Sequence, residues 1–241
     1  MNLNFSKVKQ LILDLTEKIH IRQNIYIKNK YLLKKKSYSM HGEDLIIDKY
    51  FEGLKKGLYL DLGCYHPLQW NNTMLLYQKG WRGINIDLSE FSIKLFNFCR
   101  PDDLNLNLAV SKENGETYFY TQKKLSLLST IKKSQSDMVF QGNTNKKKIS
   151  TRTLTEILDN SIYKNKHIDF LDLDVEGSDL EALQSLDFAR YAPKVICVEI
   201  LDKNIPVEEN QVEQSDIYKF LIKKHYKKKW SGIFNYIFIK D

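Results

Sequence analysis

From residue 58 onward the chain alternates short apolar runs with amphipathic stretches. Residues 58–62, 83–88, 104–110, 168–175 and 195–200 are apolar runs of strand length bounded by turn residues, which predicts buried strands. Residues 72–79, 92–99, 154–158, 180–186 and 217–224 place apolar positions at helical spacing, and Gly80 and Pro101 mark two of the ends. Residues 226–230 and 234–239 suit two strands around Ser231-Gly232. Strands separated by helices give βαβ units and a mostly parallel sheet, to which the closing hairpin adds an antiparallel edge strand. Residues 117–121, aromatic and flanked by Thr, predict a hairpin arm. Residues 122–148 are polar and basic and predict an insertion loop with a short helix; residues 201–214 predict a further loop.

Upstream of the α/β rhythm the pattern changes. Over residues 6–21, Val8, Leu11, Ile12, Leu15 and Ile19 are spaced as one face of a helix, with Lys7, Lys9, Lys18 and Arg22 largely off it. Residues 22–36 continue basic and apolar as far as Lys34-Lys35-Lys36, the polar segment 37–44 breaks the pattern, and residues 43–52 predict another helix. This divides the chain into a basic helical extension, 1–37, and an α/β domain, 38–241. The extension packs on the sheet or on a second subunit in a homodimer, lies on an anionic membrane through residues 1–36, or is a solvated tail; the first reading leads.

Charge sharpens that division. The 241 residues carry a formal +7. Residues 1–40 stand at +7 and residues 219–241 at +6, which leaves the body between them at −6. An acidic body with basic ends argues against a nucleic-acid binder, whose positive charge should run through the fold. Cys64, Cys99 and Cys197 are widely spaced with no C-x-x-C pair, so reduced thiols in a cytoplasmic protein are expected rather than a zinc site or a disulfide framework. The chain has no apolar run of about 18 residues and no signal-peptide pattern at its start.

The candidate chemistry sits at strand ends. In open α/β sheets ligands bind at the carboxyl ends of strands near the switch point. The first strand ends Asp61-Leu62-Gly63-Cys64-Tyr65-His66-Pro67. Asp61 can accept hydrogen bonds there, and Gly63 lets the backbone approach a ligand, although a simple turn explains the motif about as well. Tyr65 and Pro67 occupy positions that a dinucleotide-binding glycine loop cannot spare. Asp87 closes the second strand, where a carboxylate can accept from both ribose hydroxyls or cap the next helix. In the fourth strand Asp172, Asp174 and Glu176 fall on one side at strand period. Three such carboxylates belong at a wet strand end. They can bind substrate or act as a base, with a divalent cation at Asp172 and Asp174 as the minority reading.

With these segments in order, the chain closely resembles the FkbM family of S-adenosylmethionine-dependent methyltransferases. The resemblance is carried by Ser39-Met40-His41-Gly42-Glu43-Asp44, by Tyr59-Leu60-Asp61-Leu62-Gly63-Cys64-Tyr65-His66-Pro67 and by Asn71-Asn72-Thr73. It continues through Gly80-Trp81-Arg82-Gly83-Ile84-Asn85-Ile86-Asp87, Leu128-Ser129-Thr130 and Thr151-Arg152-Thr153-Leu154. It closes with Ile168-Asp169-Phe170-Leu171, Asp174-Val175-Glu176-Gly177 and Pro193-Lys194-Val195-Ile196-Cys197-Val198-Glu199. Singly these motifs are modest; in order over residues 38–200 they are specific.

The resemblance implies a Rossmann-like class I methyltransferase fold: a mostly parallel seven-stranded sheet with an antiparallel edge strand, plus the N-terminal helical extension. It implies S-adenosylmethionine as cofactor. Asp61 and Gly63 would border its methionine part and Asp87 would bind the ribose. Ser39, Gly42, Glu43 and Asp44 would form a cap near the site, with Glu43 on the cofactor side. Asn72 and Thr73 would open the first helix close to the cofactor, and Asp174 and Glu176 would face cofactor and substrate. Two positions depart from the family: Met40 stands where Gln is usual, and Asp172 where an acidic residue is not.

A hydroxyl acceptor needs a base, whereas an amine needs only a neutral lone pair. His66 and His41 are the candidate bases, His66 first, with Asp174 or Glu176 orienting the histidine or acting directly. The expected reaction is O-methylation of a sugar hydroxyl in a cell-surface glycan, or of a secondary metabolite, a substrate class that rests on the resemblance. Tyr65 and Trp70 either stack on a sugar face or belong to the core. The alternatives are an RNA methyltransferase, disfavoured because Lys dominates the basic ends, and a non-catalytic cofactor-binding protein of the same fold.

Overall fold

The computed structural model describes residues 5–29, 33, 35–202 and 205–240. Lys30, Tyr31, Leu32 and Lys34 of the basic extension lie outside them. The chain opens with α1 (Phe5–Gln23), a π-helical turn (Asn24–Lys28) and α2 (Glu43–Tyr50). Then come β1 (Leu58–Leu62), α3 (Met74–Gln78), β2 (Arg82–Asp87), α4 (Glu90–Cys99), β3 (Leu104–Asn107) and β4 (Ala109–Val110). The middle holds β5 (Gly115–Thr121), α5 (Lys133–Val139), β6 (Asn145–Arg152), α6 (Leu154–Asp159), β7 (Phe170–Leu173), α7 (Asp179–Gln184) and α8 (Phe188–Tyr191). The last third holds β8 (Val195–Glu199), β9 (Leu201–Asp202), β10 (Ile205–Pro206), α9 (Glu209–Val212), α10 (Asp216–Lys223), β11 (Tyr226–Ser231) and β12 (Asn235–Lys240).

Seven strands form the main sheet in the order β11-β12-β8-β7-β1-β2-β3. β3, β2, β1, β7 and β8 run parallel, and β12 pairs antiparallel with both β8 and the outer strand β11. This is the Rossmann-like class I methyltransferase arrangement that the resemblance implied. The chain builds outward from β1 to β3, then crosses back to β7 on the other side of β1. That reversal makes the carboxyl ends of β1 and β7 the switch point, where open α/β sheets hold their ligands.

Strand composition follows from burial on both faces. All five residues of β1 and all four of β7 are buried, so these strands read as mainly apolar runs, each broken by a single aspartate, rather than as alternating ones. Leu58, Leu60, Leu62, Ile84, Leu171 and Leu173 pack one face against α6, α7 and α10. Tyr59, Phe170, Cys197 and Ile237 pack the other against Ile47, Phe51, Leu76 and Trp81 from α2, α3 and the turn before β2. Asp61 shares the second face with Tyr59, so its carboxylate enters the protein rather than solvent and must find partners there.

Several expectations change. The predicted strand over 104–110 breaks after Asn107, and Ala109–Val110 joins a second sheet of order β4-β6-β5. The predicted insertion loop, 122–148, contains the expected short helix as α5 but also the first half of the lysine-rich strand β6, which pairs antiparallel with β5 through Tyr118↔Lys148, Phe119↔Lys147 and Tyr120↔Lys146. Lysines hid this strand, because only Ile149 and Thr151 turn inward while residues 145–148 stay exposed. The stretch 201–214 likewise contains β9, β10 and α9. Helix α1 lies against α4 rather than on the sheet, through Glu17 to Lys94 and Ile21 beside Leu95. Among the described residues no helix is long and apolar enough to cross a membrane.

Candidate active site

A cavity opens at the carboxyl ends of β1, β2, β7 and β8. Its walls include Asp61 near the end of β1 with Gly63 and Tyr65 beyond it, Asp87 at the end of β2, Asp172 near the end of β7 with Asp174 and Glu176 beyond it, and Glu199 at the end of β8. Asn72 lines it from the turn before α3, Met40 from the segment before α2, and Phe234 and Asn235 from the closing hairpin.

The first turn is shaped around Gly63. Its φ is +74°, and a Cβ there would stand 1.7 Å from the Asp174 carbonyl oxygen. The two loops therefore meet backbone to backbone, a contact open to glycine alone. Backbone strain gathers at the same place: Tyr65, Trp70 and Glu176 all line the cavity with φ near +50°, a conformation costly for side-chain-bearing residues. Tyr65 and Trp70 stack on each other at 5.8 Å between centroids.

Asp61 is held by a buried network. Its Oδ2 accepts from Asn71 Nδ2 at 3.0 Å and from Thr73 Oγ1 at 2.5 Å. Arg100, fully buried, donates to Thr73 Oγ1 at 2.8 Å, Asn71 Oδ1 at 2.6 Å and the Pro67 carbonyl at 2.9 Å. Burial raises the Asp61 carboxyl, while the Arg100 charge and these hydrogen bonds oppose the rise. Thr73 thus serves by fixing Asp61 and does not line the cavity. Asn72 reaches across instead, donating to Asp172 Oδ1 at 3.0 Å.

Asp87 accepts from the backbone N–H of Tyr65 at 2.8 Å and of Ser89 at 2.6 Å. Burial still lifts it to about 6. Ser89, not Asp87, caps α4 by accepting from Ser92 N–H at 3.1 Å. On the opposite wall burial pushes Asp174 up to about 7, Glu176 to about 9 and Glu199 to about 10, each reinforced by neighbouring carboxylates. Asp174 Oδ1 is buried without a hydrogen-bond partner. Burial also raises Asp172 well above the usual range.

The histidines are placed elsewhere. His66 is fully buried outside the cavity lining, with Nδ1 accepting from Leu68 N–H at 3.0 Å and Nε2 2.9 Å from Asn24 Oδ1. Burial and Arg100 lower it to about 4, so it is a neutral structural group with both nitrogens engaged. The expected role of His66 as base gives way to this. His41 is also off the lining, 3.6 Å from Glu43 and packed on Phe234. Glu43 is buried, accepting from His41 N–H at 2.8 Å and Asn235 Nδ2 at 3.1 Å. It therefore anchors the hairpin residue Asn235 rather than facing the cavity. Asp44 orders the same cap, accepting from Ser37, Tyr38 N–H and Ser39.

Glu199 was not anticipated as a site residue, although it ends an apolar strand as Asp87 does. Arg100, Phe234 and Asn235 carried no readable signal, because their roles arise from contacts distant in sequence. Among the described residues no group of three or more His, Cys, Asp or Glu is placed to hold a metal ion.

A family model described as the methyltransferase FkbM domain matches residues 61–228. Among solved structures, monomeric WbdD is 15% identical with a TM-score of 0.42, over 86% of this chain and 42% of that one. The chain thus spans less than half the length of WbdD. A TehB-like SAM-dependent methyltransferase from Corynebacterium glutamicum is 11% identical with a TM-score of 0.43, over 93% of this chain and 100% of that one. No curated protein matches the chain.

Proposed function

Because the chain belongs to the FkbM family of methyltransferases, with S-adenosylmethionine as its cofactor, we propose that it methylates a hydroxyl oxygen of a sugar, in a cell-surface glycan or a secondary metabolite. The residues present suit that cofactor. A cavity walled by carboxylates complements a molecule bearing sulfonium and ammonium charges, and the bare backbone at Gly63 leaves room for close approach. Asp87 would hold the ribose hydroxyls, and Asp61 and Gly63 would border the methionine end. Asn72 and Thr73 would serve through the carboxylates they hold. When bound, the cofactor supplies a methyl group on sulfur for in-line displacement.

The observation that carries the oxygen assignment is the wall of Asp174, Glu176 and Glu199. A hydroxyl must lose its proton as its oxygen is methylated, and a base is most effective with a pKa near the working pH. Asp174, raised to about 7 and with Oδ1 unpartnered, takes that proton. Glu176, in the same turn, holds the accepting hydroxyl. The stacked Tyr65 and Trp70 supply an aromatic face of the kind that packs against a sugar ring.

The test is transfer of labelled methyl from S-adenosylmethionine to a panel of hydroxylated glycans, amino sugars and RNA oligonucleotides. A methyl ether on a sugar is expected. Label on nitrogen or on RNA would overturn the acceptor, and failure to bind S-adenosylmethionine would leave a protein of this fold without the activity. Asp174→Asn should lower kcat by about 100-fold or more while cofactor affinity moves only a few-fold.

A further inference from the structure

The outer face of α1 is largely exposed. Val8, Leu11, Ile12, Leu15 and Ile19 recur at three- and four-residue spacing and share one side of the helix. Leu11, Ile12, Leu15 and Ile19 are 69%, 59%, 59% and 46% exposed. The opposite side faces the body: Glu17 pairs with Lys94, Ile21 packs beside Ile25 and Leu95, and Asn24 meets His66. The helix is clamped on one side and turns its aliphatic stripe outward, the reverse of an amphipathic helix that stabilises a globular core.

Charge sorts along the same axis. Lys7, Lys18 and Arg22 border the stripe on one shoulder and Lys9 on the other, all exposed. The acidic residues are engaged elsewhere, Glu17 with Lys94 and Asp14 with Gln10. Past the helix, Tyr26 and Ile27 remain 52% and 68% exposed, and Tyr26 packs edge-on against exposed Phe98. Beside Glu17 runs a groove that carries Lys94, Lys123, Lys124, Lys147 and Lys148.

An aliphatic stripe with cations on both shoulders matches the boundary of an anionic bilayer, where apolar side chains enter the acyl region and cations meet phosphates. A second copy seated on the same stripe would instead set these cationic flanks against each other. We propose that α1 docks the protein on an anionic phospholipid surface through Leu11, Ile12, Leu15 and Ile19, with Lys7, Lys9, Lys18 and Arg22 at the headgroups. This docking is independent of which acceptor is methylated.

Flotation of the full chain with vesicles tests it, using phosphatidylcholine alone and phosphatidylcholine with about a third phosphatidylglycerol. Binding to the anionic vesicles should exceed binding to the neutral ones by about tenfold or more at low salt. It should fall sharply at about 1 M salt, where the screening length shrinks to about 3 Å. Leu15→Asp with Ile19→Asp should lower partitioning by about 100-fold, while cooperative thermal unfolding shows that the fold is kept. Lys7→Glu with Lys18→Glu should erase the anionic preference. The proposal is overturned by absent or salt-independent binding, by equal binding to neutral vesicles, or by binding that survives the aspartate pair. A dimer that the aspartate pair dissociates, without vesicle binding, would assign the stripe to a second copy.

Discussion

Gly63 shows how tightly one residue couples fold and site. Alanine there meets both a positive φ and a backbone oxygen that cannot retreat without moving the Asp174 turn. Gly63→Ala should destabilise the protein by about 2 kcal/mol or more and weaken cofactor binding together with it, read by urea unfolding and isothermal titration. Arg100 makes the complementary case. It is the cation facing buried Asp61, Asp103 and Tyr59, and Arg100→Met would leave those groups uncompensated. A loss of about 3–5 kcal/mol is expected, and a stability change under about 1 kcal/mol would show that water or rearrangement replaces it. Asp61, Gly63 and Asp87 were legible in the sequence because strand ends in an α/β sheet are where ligands sit. Arg100 was not, since nothing local links it to Asn71 and Thr73, nearly thirty residues earlier. His66 was the misplaced base: a histidine in a site-forming loop reads as one until its two nitrogens are seen to be occupied.

Among the elements, α4 separates stability from binding. Ser89 caps it through Oγ, while the Ser89 backbone N–H holds Asp87. Ser89→Ala removes the first contact and keeps the second. It should cost about 1 kcal/mol of stability with little change in S-adenosylmethionine affinity; a large affinity loss would mean that the cap, not the backbone, positions the carboxylate. The parallel core strands were legible as elements because two-sided burial writes itself as mainly apolar runs. Strand β6 was not, because its pairing with β5 buries little beyond Ile149 and Thr151 and its exposed lysines read as loop. The cap segment 37–44 was legible as a motif. What it does, tying Glu43 to Asn235 across the sheet edge, depends on the hairpin returning beside it.

For the whole molecule, the charge division becomes a pH dependence. Part of the acidic body lines the cavity, where burial holds Asp87 at about 6, Asp174 at about 7, Glu176 at about 9 and Glu199 at about 10. Unfolded, such carboxyls titrate near 4. Over this window the folded chain therefore binds more protons than the unfolded one, and stability falls as pH rises. Each group contributes at most about 1.4 kcal/mol per pH unit between its unfolded and folded values. The Tm of the ligand-free protein should accordingly drop between pH 6 and 9, about where the surface carboxylates with lowered values, such as Asp159 at about 2, have long been ionised and add no slope. Glu199→Gln should flatten the decline, because it removes one of these buried protons. S-adenosylmethionine should restore Tm most strongly at the high end, since its positive charge offsets carboxylates that are then ionised. Its binding near pH 7 should release protons, visible as a binding enthalpy that changes with the ionisation enthalpy of the buffer. A Tm that rises across this range, or a slope that Glu199→Gln leaves unchanged, would mean that the wall carboxylates are ionised in the free protein and that water or rearrangement already solvates them.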